Sequence, residues 1–136
     1  MEDEVRAATG RSRQEPRITV GRIYDPWPEG TTRVLVDRLW PRGVRKDSAP
    51  WELWLKNAAP SGALRQWYHA HPEEYEAFRA RYEEELAAPG AAAALAQLVD
   101  LARAGPLGLV TARSAVELSH APVLAHVVEQ GLASRC

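Results

Sequence analysis

Two short, almost unbroken apolar runs constrain this chain more than any other feature: RVLVD at residues 33–37 and LGLVT at residues 107–111. A strand with one wet face alternates apolar and polar residues. A run such as Val34-Leu35-Val36 has nothing to offer water and needs cover on both faces, the pattern of strands in a parallel sheet. A third strand is legible earlier, where RITVGRI from Arg17 sets Ile18 and Val20 on one face at period two. Parallel strands cannot be joined by a tight turn, so the chain between them must cross over the sheet, usually as helices.

The intervening sequence has helical spacing. Ser61 is a good N-cap for a helix carrying Leu64, Trp67 and Tyr68 on one face. Pro72 fits the first turn of a second helix, with Glu73, Glu74 and Glu76 at its positive end and Tyr75, Phe78, Tyr82 and Leu86 along one stripe; Pro89-Gly90 stops it. AAAALAQLVDLARAG is helical by propensity, with Leu95, Leu98, Val99 and Ala102 inward and Gly105-Pro106 as its end. A last helix docks Leu124, Val127 and Val128. Ser114 and Glu117 read as a capping box, but Pro122 would then sit inside the helix, so a start near Ser119 is preferred. The spacing of Trp51, Trp54 and Leu55 in PWELWLK predicts one further short helix. The expected architecture is a single α/β domain, a small, largely parallel sheet of about three to four strands packed with helices.

A length of 136 residues is one domain's worth. Residues 1–16 offer only Val5 to a core and read as a flexible tail, leaving 17–136 as the domain. The net charge of −1 excludes bulk attraction to polyanions, so an electrostatic partner must be met by a local patch. The one cysteine, Cys136, forms no internal disulfide and no zinc cluster, and no apolar run is long enough for a membrane span or a signal peptide. A cytoplasmic protein without membrane contact is expected. All the aromatic residues, five tryptophans among them, lie between Tyr24 and Tyr82.

In open α/β sheets, ligands sit at the carboxyl ends of the strands. The loop leaving RVLVD there is DRLWPRGVRK, which sets Arg38, Arg42, Arg45 and Lys46 against Asp37 alone, with Trp40 among them and Pro41 and Gly43 shaping the turn. Guanidinium groups grip phosphate or carboxylate through paired hydrogen bonds, and an indole supplies a flat face. A pocket for a small phosphate- or carboxylate-bearing anion, a nucleotide-like molecule among the candidates, formed by Asp37, Arg38, Trp40, Arg42 and Arg113 is therefore the leading reading. The alternative at these positions is structural, with Asp37 pairing an arginine and Trp40 plugging the core. His120, after the third strand, is the one histidine near the site able to act as acid or base, yet it shares the buried face of Leu124 and Val127, where a histidine is more often a hydrogen-bonded core side chain. Among the tryptophans, Trp54 and Trp67 have the spacing of core anchors, whereas Trp27, in a proline-rich loop, is the least expected to be buried. Glu83-Glu84-Glu85 reads as a solvated helix end. No histidine spacing fits a metal site, and no nucleotide-loop, Walker or nucleophile-elbow motif is present, so neither metal nor cofactor is implied.

These residues carry a resemblance. YDP at 24–26, RVLVDRLWPRG at 33–43, WLKNAAPS with LRQWY between Trp54 and Tyr68, HPEEYEAFRARYEEEL at 71–86 and ELSHAPVL at 117–124 make the chain similar to the YeaO-like branch of the family called domain of unknown function 488. The resemblance implies a small bacterial cytoplasmic α/β protein and no established reaction. It also implies two departures: relatives often have a Lys-Asp or similar pair where Ser114-Ala115 stand here, and the wider family often has cysteine where Thr111 stands. A thiol nucleophile is thereby excluded, and an altered or inactive member is expected if relatives work through those groups. Two other classes stay open. Arg33 to Lys46 holds five cations against one acid, with Trp40 among them, which fits a nucleic-acid-binding or regulatory accessory protein. A non-catalytic interaction module whose DRLWPRG loop only supports the core fits as well.

Overall fold

The computed structural model describes residues 17–133; the expected tail lies outside the described residues. Four strands, β1 (Ile18–Arg22), β2 (Thr32–Leu35), β3 (Leu53–Trp54) and β4 (Leu107–Thr111), form one sheet in the order β1-β4-β2-β3. Every pairing is parallel, with Val34 opposite Leu109 and Leu109 opposite Val20 in register. The last strand in sequence thus inserts between the first two. Four helices follow the predicted order: α1 (Gly62–Ala70), α2 (Tyr75–Glu85), α3 (Pro89–Ala104) and α4 (Ala121–Ala133).

The pleat sorts the strand residues between two cores. Ile18, Val34, Val36, Leu107 and Leu109 face the helices, where they meet Leu98, Leu124 and Val128 in the larger cluster. Each such side chain, withdrawn from water, contributes on the order of 1.5–3 kcal/mol. Leu35 and Val110 point the other way, into a second cluster made with Trp51 and bordered by Trp27, Trp40 and Trp54. Both apolar runs are therefore buried on both faces, as their composition requires, but on one face the cover is a layer of tryptophan-bearing loops in place of helices.

Trp27 shows how close that cover lies. Its ring sits on Gly21 and Gly108, where an added Cβ would come within 2.9 Å and 2.6 Å of the indole. These two glycines make a flat seat on adjacent strands. Trp27, the tryptophan least expected to be buried, is half-buried like Trp40, Trp54 and Trp67, and its indole N–H is enclosed with no hydrogen-bond partner among the described residues.

Three local expectations change. PWELWLK is not a helix; it adds β3 to the sheet edge and ends in a single 3-10 turn at Lys56–Ala58. The backbone explains this, because Glu52 N–H donates to Arg33 O (2.8 Å) and Leu55 N–H to Leu35 O (3.0 Å), so the exposed edge of β2 takes the bonds a helix would have kept internal. The Arg33 guanidinium, hydrogen-bonded to Glu52, holds that carboxyl below the usual carboxylate range and fixes the same register. Helix α2 starts at Tyr75, so Pro72 lies in the turn before it, and Pro89, expected to end that helix, occupies the first turn of α3. Helix α4 begins where Pro122 can be tolerated, with Ser119 Oγ accepting from Ala121 N–H. No helix among the described residues is long and apolar enough to cross a membrane.

Candidate functional site

Because β2 and β4 are neighbours and run the same way, the loops leaving their carboxyl ends emerge side by side. Asp37 follows β2, Ala112 and Arg113 follow β4, and Asp37 ties the two together: Oδ1 accepts from Thr111 Oγ1 and Oδ2 from Ala112 N–H, both at 2.8 Å. Thr111 Oγ1 in turn accepts from Arg113 N–H (3.2 Å). Thr111 is fully buried. Its hydroxyl is hydrogen-bonded within the fold on both its donor and its acceptor side.

His120 lies beneath this junction. Its Nε2 is 2.8 Å from the Val36 carbonyl oxygen and 3.7 Å from Asp37 Oδ1. A carbonyl only accepts, so Nε2 carries the proton. Burial pushes the imidazole below its ordinary value of 6.5, against the opposing pull of Asp37, so the ring is neutral at pH 7. Both halves of the sequence reading of His120 meet here: the ring is a buried, hydrogen-bonded side chain, and it also borders the cleft described next.

Above the junction opens a cleft of ≈ 290 Å³. Asp37, Arg38, Trp40, Arg113 and His120 line it; Arg42 is exposed and does not. Gly43, at φ +83°, turns the chain just beyond Arg42 and directs the rest of the basic loop outward. Arg38 donates through Nε to Pro60 O (2.9 Å) and through Nη2 to Ala59 O (3.2 Å), which leaves part of its donor fork unused. Trp40 is a wall: its Nε1–H donates to Val44 O (2.7 Å), and its ring meets Trp51 and Trp54 edge-on at 4.9 Å and 5.4 Å.

The remaining lining comes from helices α1 and α2. Arg65, Tyr68 and Phe78 border the cleft, with Tyr68 and Phe78 stacked at 4.3 Å and the Arg113 guanidinium 5.9 Å from the Tyr68 ring centre. None of these three helical residues was read from the sequence as part of a site: Tyr68 and Phe78 were read only as positions on apolar helix faces, and Arg65 was not named. The signal was present in Arg65 and Tyr68, three apart and so neighbours on one helix face. Arg38, Arg65 and Arg113 have no carboxylate partner among the described residues. Elsewhere the cations of the basic stretch are engaged, Arg33 with Glu52 and Arg45 with Asp47, while Arg42 and Lys46 are exposed. The acidic helix end is not wholly solvated: Glu85 accepts from Ser61 N–H (2.8 Å) and Ser61 Oγ (2.6 Å), clamping the start of α1.

An all-parallel α/β domain whose neighbouring strand ends open on an arginine-bordered cleft defines the class of protein. The chain belongs to the YeaO-like domain of unknown function 488 family: residues 17–136 match the model described as the inactive DUF488-N3 subclade. It is 46% identical over 116 residues, 85% of this chain and 96% of the relative, to the uncharacterised protein Rv3073c of Mycobacterium tuberculosis, and matches the uncharacterised protein Mb3100c of Mycobacterium bovis equally. It is 38% identical over 109 residues, 79% of this chain and 93% of the relative, to the uncharacterised protein YeaO of Escherichia coli. No solved structure matches the chain.

Proposed function

We propose that the cleft binds a small anionic molecule, phosphate- or carboxylate-bearing, and holds it without turnover. The observation that carries this reading is the pair Arg65 and Arg113, two guanidinium groups without carboxylate partners among the described residues, bordering an otherwise largely apolar cleft at strand carboxyl ends. Arg38 supplies a third, partly committed donor fork. Two observations support a reading without turnover: Thr111 is buried with its hydroxyl donating to Asp37, and His120 Nε2–H is committed to Val36 O. The subclade's description as inactive supports the same reading. The nucleic-acid alternative has less support, because pairing and backbone anchoring leave only Arg42 and Lys46 of the five cations both exposed and unpaired among the described residues.

A thermal-shift panel of inorganic phosphate, nucleoside monophosphates and small carboxylates tests this. At least one anion should raise the melting temperature with concentration, by roughly 2.7 kcal/mol of stabilisation at a hundredfold excess over Kd. The double variant Arg65→Ala/Arg113→Ala should melt like the parent without ligand and lose the shift. A panel without any stabilising anion, or a shift unchanged in the variant, contradicts the proposal.

A further inference from the structure

We infer that the cleft takes an amphiphilic anion, a small acid whose apolar tail covers Leu39, in preference to a compact polar anion such as inorganic phosphate or a sugar phosphate. This rests on the anion-binding reading above and deepens it. Leu39 lines the cleft next to Arg38 and is 63% exposed. It is one of three large hydrophobic side chains exposed among the described residues, with Tyr24 and Leu118, and each of the three follows the carboxyl end of a strand: Tyr24 after β1, Leu39 after β2, Leu118 after β4. Scattered singly over a surface, such residues would need no explanation. Here all of them lie at the end of the parallel sheet where the cleft opens. The Leu118 carbonyl also accepts from the hydroxyl of Tyr68, itself a lining residue, at 2.9 Å.

Leu39 is held outward by its neighbours. Arg38 is anchored on Pro60 O and Ala59 O, and Trp40 on Val44 O and against the edges of Trp51 and Trp54. With the residues on both sides fixed, the leucine stays in water for a structural reason, and a ligand that covers it gains the burial without first ordering the loop. The polar side of the lining points the same way. Every uncharged side-chain donor there is already used within the fold: Trp40 Nε1–H by Val44 O, the Tyr68 hydroxyl by Leu118 O and His120 Nε2–H by Val36 O. Asp37 is the one carboxylate, and each of its oxygens already accepts a hydrogen bond. A hydroxyl-rich ligand therefore finds few partners, whereas an acid with an apolar tail needs only the guanidinium groups and the apolar wall. The volume of ≈ 290 Å³, at the small end of ligand pockets, suits an acid with a chain of several carbons.

Titration calorimetry of the full chain at pH 7.5 tests the inference with acetate, butyrate, hexanoate, hexan-1-ol and inorganic phosphate as probes. Affinity should rise by up to about fourfold for each methylene covered, which puts hexanoate at least about thirtyfold above acetate and phosphate. Because Leu39 is exposed, Leu39→Ser should melt like the parent; it should weaken hexanoate about threefold or more and leave acetate and phosphate unchanged. A flat series from acetate to hexanoate, with binding lost in Arg65→Ala/Arg113→Ala, overturns this inference and leaves the anion site standing. A rise with chain length that Leu39→Ser does not reduce overturns it too, since the tail then lies elsewhere. Hexan-1-ol binding as tightly as hexanoate, with both unaffected by the double arginine variant, overturns the anion-site reading and this inference with it. Binding of none of the five probes overturns the inference, and the anion-site reading is then decided by the nucleotides of the broader panel.

Discussion

At the residue scale, Asp37, read from the sequence as a ligand contact, and His120, read as a candidate acid or base or a buried side chain, both make hydrogen bonds that hold the fold together. Asp37 joins β2 to the loop after β4 through Thr111 and Ala112, and His120 closes the same junction by donating to Val36 O. Neither bond was legible in the sequence, because each joins positions more than 70 residues apart, Asp37 to Thr111 and Val36 to His120. What could be read was local: the period that puts His120 on the buried face of the last helix. The burial of a neutral imidazole makes stability depend on pH. In the folded chain the histidine titrates below its ordinary value, whereas in the unfolded chain it takes up a proton near pH 6.5. The unfolded state therefore binds more protons below that pH. The contribution of neutral His120 is complete above pH 6.5, declines as the pH falls, and levels off once the folded form also titrates. Urea unfolding between pH 8 and pH 5 should show this decline in the parent, and His120→Asn, which keeps a donor for Val36 O, should lose part of it. Identical pH slopes for the two proteins would contradict the assignment.

Elements repeat the lesson at longer range. Helices α1 and α3 were legible because their signals are local, the Ser61 cap accepting from Leu64 N–H and the alanine-rich run with inward Leu98 and Ala102. The strand β3 was not, since two tryptophans and a leucine at helical spacing fit a helix equally well until the open edge of β2 is known to lie beside them. Gly108 is the clearest case of an element shaped by a partner. As a glycine in a strand it weakens the local propensity, and only the indole of Trp27 lying against it explains the residue. Gly108→Ala would set a methyl carbon 2.6 Å from Trp27 Cζ3, a distance that forces the ring off its seat. The variant should lose about 1–3 kcal/mol in denaturant unfolding, as overpacked sites do. Its tryptophan emission should shift to the red as Trp27 gains water. A variant as stable as the parent, with unchanged emission, would show that the loop carrying Trp27 yields freely.

Over the whole molecule, one sheet divides two kinds of cover. Helices pack on Ile18, Val34, Leu107 and Leu109, and tryptophan-bearing loops pack on Leu35 and Val110. Four of the tryptophans, Trp27, Trp40, Trp51 and Trp54, follow from this division, since the segments after β1 and β2 must cover a sheet face without the help of a helix, whereas Trp67, Tyr68, Tyr75, Phe78 and Tyr82 belong to α1 and α2 on the other side. The division also explains why Trp40, a plausible ligand contact in sequence, spends its indole N–H on Val44 and its edges on Trp51 and Trp54. The class of fold was legible because doubly buried strands leave few alternatives. The full cleft was not, because Arg65, Tyr68 and Phe78 reach it from helices whose placement depends on the tertiary fold. The central claim is that an anion binds among Arg65, Tyr68 and Arg113 and not along the exposed basic loop. Amide chemical-shift mapping by NMR during titration with a small anion measures this directly. The largest perturbations should fall on Arg65, Tyr68, Ala112 and Arg113, with Arg42 and Lys46 little changed; perturbations centred on Arg42 and Lys46, with the cleft amides unmoved, would contradict it.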